Sequence, residues 1–145
     1  MYLFFDTETT GLPRNWNAPV TNTANWPRMV QLAWMLYDYD GRLVESDNHI
    51  IYPEGYTIPR EVSALHGITT ERAKSEGEAL DTILELFETL LDEAVILVAH
   101  NMKFDEKIMG AELIRAGRNN SLPGKPKLCT MELLPTSVAC LVARV

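Results

Sequence analysis

Two acidic residues near the start of the chain are the first candidates for chemistry. Asp6 and Glu8 stand two positions apart in Phe4–Gly11, whose sequence is FFDTETTG. The apolar start predicts a strand, the Thr-Thr-Gly end predicts a turn, and alternation places both carboxylates on one face. Paired carboxylates repel each other unless a cation lies between them, and oxygen ligands suit Mg²⁺ or Mn²⁺. The motif alone fits a metal site and a plain polar strand end equally well.

A third carboxylate follows an apolar segment about a hundred residues later. Residues 94–99 (AVILVA) predict a strand buried on both faces, as in a parallel sheet. Asn101 is expected to cap a helix over 102–116, and Asp105 falls in its first turn. Open α/β sheets bind ligands at the carboxyl ends of their strands. If the two strands are neighbours, Asp6, Glu8 and Asp105 converge, as a two-metal phosphodiester displacement would require.

The intervening sequence predicts the elements that position these residues. Residues 29–40 and 42–52 are expected to form two strands joined by a turn at Asp40-Gly41, which gives an antiparallel three-strand meander with the first strand. A short helix is expected between Pro59 and Gly67. Residues 127–130 are a candidate fifth strand. Ser75–Glu78 has the spacing of a capping box, and it precedes an amphipathic helix whose apolar stripe belongs to the core: Leu80, Ile83, Leu84, Phe87, Leu90 and Leu91.

Residues 12–28 form a long segment rich in Asn, Pro and Trp. Such a length without regular structure indicates a functional loop or an insertion. Trp16 and Trp26 are expected to pin this loop to the body of the domain, with stacking on nucleic-acid bases as the alternative.

Bulk properties limit the class of protein. The 145 residues fit one domain, and the net charge of −7 argues against binding along a nucleic-acid backbone, although not against gripping a few nucleotides with the help of cations. No apolar run predicts a membrane span, and the N-terminus lacks a signal-peptide pattern. Cys129 and Cys140 are expected to be free thiols in a cytoplasmic protein.

Together the acidic segments resemble the DEDD 3′–5′ exonucleases. Phe4–Gly11 and residues 99–105 (AHNMKFD) match the first two motifs of that family, and residues 65–69 (LHGIT) match an element of its proofreading group, which includes the epsilon subunit of bacterial DNA polymerase III. The resemblance implies a ribonuclease-H-like α/β fold over residues 1–145. Its mixed five-stranded sheet would combine the antiparallel meander with parallel strands and flanking helices.

The resemblance also implies roles for individual residues. Asp6, Glu8 and Asp105 would be three of four carboxylates that bind two divalent cations, Mg²⁺ or Mn²⁺. The enzyme would release 5′-mononucleotides from a single-stranded or frayed DNA 3′ end, in proofreading or repair, with a polymerase as a candidate partner. Residues expected to contact the terminal nucleotides are Thr9, Leu12, Leu65, His66 and Phe104.

Several of these side chains have simpler alternatives. His66 could only cap its helix, Phe104 could be core, and His100 is expected to be structural rather than the catalytic base. Lys103 and Lys107 are expected on a solvated helix face, with a phosphate contact as the alternative.

The family's third motif, His-x-Ala-x-x-Asp or Tyr-x-x-x-Asp, does not occur in the sequence. The chain is therefore expected to be C-terminally incomplete, and inactive or weakly active, because it lacks the fourth carboxylate and the catalytic His or Tyr. Loss of the general base alone typically costs about 100- to 10,000-fold in rate. The apolar residues 137–145 are expected to expose a surface for dimerisation. Two alternative functions follow: a non-catalytic nucleic-acid-binding module of the same fold, or an RNA-trimming exoribonuclease.

Overall fold

A five-stranded mixed sheet organises the chain in the computed structural model, which describes residues 1–133. The strands are β1 (Tyr2–Thr9), β2 (Met29–Tyr37), β3 (Leu43–Ile50), β4 (Ile96–Ala99) and β5 (Lys127–Cys129). Their order across the sheet is β3-β2-β1-β4-β5. The β1–β2 and β2–β3 pairs are antiparallel, whereas β4 is parallel to β1 and to β5. The predicted meander, the parallel strands and the five-stranded mixed sheet are confirmed.

Within residues 1–133, five α-helices accompany the sheet: α1 (Arg60–His66), α2 (Thr70–Glu76), α3 (Leu80–Glu93), α4 (Met102–Arg115) and α5 (Thr130–Leu133). The predicted elements around α1, α3 and α4 are confirmed, while α2 was not foreseen. None of the helices in residues 1–133 has the length and apolar character that crossing a bilayer would need.

The main core lies between β1 and the helices α3 and α4. Alternate β1 side chains, Leu3 and Phe5, are buried, and the Phe5 ring meets Phe87 of α3 edge to face at 5.5 Å between centroids. Ile108 and Met109 of α4 belong to the same core. β1 pairs with β2 over its whole length and with β4 at Tyr2, Leu3 and Phe4, so its carboxyl end lies just beyond the pairing with β4.

The predicted capping box at Ser75–Glu78 is wrong. Ser75 lies inside α2, where its hydroxyl donates to the Arg72 carbonyl, and α3 begins after Ala79 without a side-chain cap. The reason is tertiary: Glu78 pairs with Ile51 in a short β-bridge that extends the sheet, so this segment is extended rather than helical.

Other local predictions need smaller corrections. Asn101 precedes α4, but its side chain makes no capping hydrogen bond; only its carbonyl accepts, from the amides of Phe104 and Asp105. The second strand ends at Tyr37 instead of residue 40, because the Asp38 carboxylate accepts from the amides of Asp40 and Arg42 and starts the turn early.

The apolar 94–99 segment is strand only from Ile96. Cys129 is a free thiol, while Cys140 and the predicted apolar surface at 137–145 lie outside the described residues.

Candidate functional site

Asp6 and Glu8 lie on the same face of β1, as predicted. The strand buries Phe5, Thr7 and Thr9 on one side, while both carboxylates occupy the other, more accessible side. Hydrogen bonding to β2 fixes their positions, since Asp6 stands opposite Ala33 and Glu8 opposite Gln31 in the register. The two acids are therefore held in the part of β1 that pairs with β2.

Asp105 is buried in the first turn of α4 and is bonded directly to the acidic strand. Its Oδ1 atom accepts from the Thr7 hydroxyl at 2.7 Å and from the Thr7 amide at 3.1 Å. Thr7 stands between Asp6 and Glu8, so this pair of bonds joins the two acidic segments. Because β4 is parallel to β1 and leads straight into α4, the predicted neighbourhood of the segments is confirmed.

Burial is the main influence on the pKa values of the three carboxylates. The pKa of Asp105 is raised to about 7, mainly by burial and to a smaller extent by the negative charge of Asp6, while the hydrogen bonds from Thr7 oppose the shift. The pKa of Glu8 is raised by burial and then by Asp6. Burial also raises the pKa of Asp6, against the lowering influence of His100. Asp6 thus interacts with both other acids.

The donor chemistry of these residues fits a hard divalent cation. All three ligands would be carboxylate oxygens, and in residues 1–133 no lysine or arginine forms a salt bridge with any of them. As they stand, however, no three His, Cys, Asp or Glu side chains within the described part of the chain are grouped closely enough to hold a metal ion. One oxygen of Asp105 is engaged by Thr7. The convergence of Asp6, Glu8 and Asp105 on one ion therefore stays a prediction.

The residues predicted to contact substrate differ in exposure. Leu12 and Leu65 project apolar side chains into solvent, with 73% and 84% of their surfaces exposed. Thr9 is buried, and its hydroxyl donates to the Gly11 carbonyl at 2.8 Å, which supports the turn after β1. Phe104 is partly buried against the core and also meets the Trp16 ring. Substrate contact by these four residues stays a prediction.

His66 ends α1 close to the acidic strand. Its Nδ1 atom accepts from the Ile68 amide at 3.1 Å, so the ring closes the helix end and the proton lies on Nε2. Nε2 is buried, and no group of residues 1–133 meets strict hydrogen-bond geometry with it, although the ring lies beside the Thr9 backbone. Burial lowers the pKa of His66, and the Thr9 backbone opposes that shift. The capping role is present, and substrate contact by the same ring stays a prediction.

His100, Lys103 and Lys107 make specific contacts. His100 Nδ1 lies 3.0 Å from the Thr130 hydroxyl, consistent with the expected structural role. Lys103 is largely exposed and pairs with Glu132 at 3.2 Å. Lys107 is not simply solvated, because its ammonium lies 5.7 Å from the centre of the Trp26 ring.

The sequence analysis did not predict the roles of two residues, Thr7 and Glu112. Thr7 was not identified, although the same alternation that aligns Asp6 with Glu8 directs Thr7 toward the helix side. Glu112 is fully buried in α4, where its Oε1 accepts from Arg28 Nε at 3.0 Å and from the Met29 amide at 2.9 Å. Its position seven residues after Asp105 places it on the same helix face, which is a signal that periodicity could have supplied.

Comparisons with known proteins agree with this architecture. The RNase_T family model, described as an exonuclease, matches residues 3–142. The chain is 28% identical over 109 residues to the DNA polymerase III subunit epsilon of Treponema pallidum, covering 75% of this chain and 44% of that protein. It is 30% identical over 133 residues to the PolC-type DNA polymerase III of Streptococcus pneumoniae, covering 90% of this chain and 8% of that protein.

The fold is also found in solved structures. E. coli exonuclease I in complex with a dT13 oligonucleotide superposes with a TM-score of 0.73 at 17% identity, over 91% of this chain and 28% of that one. A zinc-bound complex of the same enzyme with single-stranded DNA has the same TM-score. The chain spans less than half the length of each of these relatives. From the matched family model, the ribonuclease-H-like sheet and the paired acidic segments, we conclude that the chain belongs to the RNase_T exonuclease family, among the DEDD 3′–5′ exonucleases.

Proposed function

We propose that this chain is the exonuclease domain of a protein that hydrolyses DNA from its 3′ end and releases 5′-mononucleotides, in proofreading or repair. The observation that carries the proposal is the double hydrogen bond between Thr7 and Asp105. It joins the two acidic segments, and in residues 1–133 no lysine or arginine forms a salt bridge with Asp6, Glu8 or Asp105.

In this proposal the acids hold the ions and the apolar side chains hold the nucleotide. Asp6, Glu8 and Asp105 would bind Mg²⁺ or Mn²⁺, which when bound lowers the pKa of water and stabilises the leaving oxygen. Asp105 is suited to this role because an adjacent cation would return its raised pKa toward the ionised range. Exposed Leu12 and Leu65 would pack against the unpaired terminal nucleotide.

The comparisons support DNA as the substrate class. Exonuclease I structures contain dT13 and dA16 oligonucleotides, and the curated relatives are DNA polymerase III components. On the same grounds we propose a DNA polymerase as a partner of the natural protein. Single-stranded ends suit a chain with a net charge of −7, because a short terminal segment requires few phosphate contacts.

A second candidate is a nucleic-acid-binding module without catalysis. It is favoured by one observation: within residues 1–133 the carboxylates are not closed into a metal cluster, and Thr7 occupies an oxygen of Asp105. Metal binding distinguishes the two candidates, since a binding module has no need of the cation.

The first experiment is a calorimetric titration of Mn²⁺ into the chain, into Asp6→Asn and into Asp92→Asn. Asp92 is an exposed acid on α3, so its variant is a matched control for the loss of one charge. We expect saturable binding by the wild type and the control, and a clear loss of binding in Asp6→Asn. Equal titration curves for all three proteins would contradict the proposed metal site at Asp6.

The second experiment tests the direction of hydrolysis and the preference for DNA over RNA. The chain is incubated with Mn²⁺ and DNA that is blocked at either the 3′ or the 5′ end. The protein is in excess over the oligonucleotide, so that slow hydrolysis is measurable. The proposal expects the 3′-blocked strand to survive and the 5′-blocked strand to shorten by single nucleotides. Equal loss of both strands contradicts the direction, and faster loss of a matched RNA strand contradicts the preference for DNA.

A further inference from the structure

The 12–28 loop is closed by its own hydrogen bonds. Asn25 is buried, and its side chain bonds both backbone groups of Asn15: Oδ1 accepts from the amide at 2.8 Å and Nδ2 donates to the carbonyl at 2.9 Å. The Arg14 amide donates to the Asn25 carbonyl at 3.2 Å. These bonds join the two arms of the loop immediately beside Trp16.

Contacts with α4 anchor the same loop to the domain. Trp26 is only 4% exposed, and its indole donates to the Pro19 carbonyl at 3.2 Å. The Arg115 guanidinium donates to the carbonyls of Thr23 and Trp26. Gly110 allows close approach, because a Cβ at that position would lie 2.9 Å from the Val20 side chain. Trp26 therefore pins the loop, as predicted.

Trp16 follows that prediction only in part. Its side chain remains 51% exposed, and its ring lies 5.8 Å from the ring of Phe104, with the planes inclined at 47°. Phe104 immediately precedes Asp105, so the pair stands next to the acidic strand. A large aromatic ring that is half exposed and carried by a hydrogen-bonded loop offers a contact surface whose position is set before the ligand binds.

We propose that Trp16 is a substrate-binding residue that extends the surface of Phe104 and stacks on a base of the single-stranded 3′ segment. The inference rests on the proposed function and adds a specific contact to it. Because a net charge of −7 and an acidic centre oppose the attraction of phosphates, base stacking would contribute a large share of the affinity. Stacking also tolerates any base sequence, as removal of successive terminal nucleotides requires.

The test compares two substitutions and one control by anisotropy of a 5′-labelled oligothymidylate, in a buffer with Ca²⁺. Trp16→Phe keeps a ring, and Trp16→Leu keeps apolar bulk without one. Tyr39→Leu is the control, because Tyr39 is an exposed aromatic that contacts Tyr2, at the opposite end of β1 from Thr9. We expect roughly tenfold weaker binding by Trp16→Leu, a smaller loss for Trp16→Phe and no change for the control.

Abasic substrates then identify the contact. A series of oligothymidylates carries one abasic site at successive positions from the 3′ end. If Trp16 stacks on one base, wild type and Trp16→Leu bind the strand lacking that base equally well, whereas they differ on the other strands. Intrinsic fluorescence gives a second readout, since Trp26 and Trp34 are only 4% and 3% exposed and quenching by the oligonucleotide would come from Trp16.

The outcomes separate this inference from the proposed function. If the wild type binds and Trp16→Leu binds as tightly, with an unchanged thermal midpoint, the stacking role is wrong and the proposed function stands. A loss of affinity that persists on every abasic strand also overturns stacking. If the wild type does not bind DNA ends at all, the proposed function fails, and the role of Trp16 fails with it.

Discussion

The Thr7 hydroxyl donates a hydrogen bond of 2.7 Å to Oδ1 of Asp105, across 98 positions of sequence. The bond is buried, and the Thr7 amide adds a second one to the same oxygen. It ties the first turn of α4 to the strand that carries Asp6 and Glu8. The geometry of the acidic site therefore depends on a residue that is not itself an acid.

Replacing Thr7 by valine tests that dependence. The variant keeps the shape of the side chain but removes one donor to a buried carboxylate, which typically costs about 1–3 kcal/mol. We expect a lower free energy of unfolding in urea and a further rise in the pKa of Asp105. Thr82→Val, at an exposed position of α3, is the matched control. Equal stabilities of the two variants would show that the Thr7 bond contributes little.

The pH dependence of stability follows from the raised pKa of Asp105. In metal-free buffer the folded protein keeps a proton that the unfolded chain releases above its ordinary value of 3.8. Stability is therefore highest at low pH within this window and falls as the pH rises toward about 7. The slope contributed by one group is at most about 1.4 kcal/mol per pH unit.

Asp105→Asn should flatten that slope, because the amide resembles the protonated acid and can still accept from Thr7. The measurement is a series of urea unfolding curves for both proteins between the two pKa values. An unchanged slope in Asp105→Asn would mean that other groups, such as Asp6 and Glu8, dominate the titration.

Added Mn²⁺ should stabilise the folded chain, because a cation offsets the repulsion between neighbouring carboxylates. Mn²⁺ at a hundred times its dissociation constant is expected to stabilise the folded chain by about 2.7 kcal/mol. The thermal midpoint should rise for the wild type and for Asp92→Asn, and should rise little for Asp6→Asn. A similar rise in all three proteins would indicate nonspecific screening of the net charge.

The buried Glu112 is predicted to be structural. Its carboxylate accepts from Arg28, from the Met29 amide and from Arg115, and so links α4 to the start of β2. Glu112→Ala leaves two guanidinium groups without their partner, and breaking such a buried pair typically costs about 3–5 kcal/mol.

Glu85→Ala is the control, at an exposed position of α3. Chemical denaturation should show a large decrease in the free energy of unfolding for Glu112→Ala and little change for Glu85→Ala. If the denaturation midpoint of Glu112→Ala equals that of the wild type, the buried ion pairs have no structural role.

The amino-acid sequence by itself determined the strands and the order of the acidic residues. Alternation along β1 places Asp6 and Glu8 together, the Asp40-Gly41 turn joins β2 to β3, and the apolar segment before Asp105 leads from β4 into α4. These features depend on neighbours a few residues apart, and local periodicity and turn chemistry therefore predict them.

Only the tertiary structure decided the rest. Trp16 and Trp26 occupy similar local sequence, yet one is buried under Lys107 and the other is half exposed beside Phe104. The spacing of Ser75–Glu78 suits a helix start, but pairing of Glu78 with Ile51 makes the segment extended. The raised pKa of Asp105 likewise comes from burial and from Asp6. Each of these outcomes depends on groups far apart in sequence, whose proximity is set by how the sheet and helices pack, and no local pattern encodes that distance.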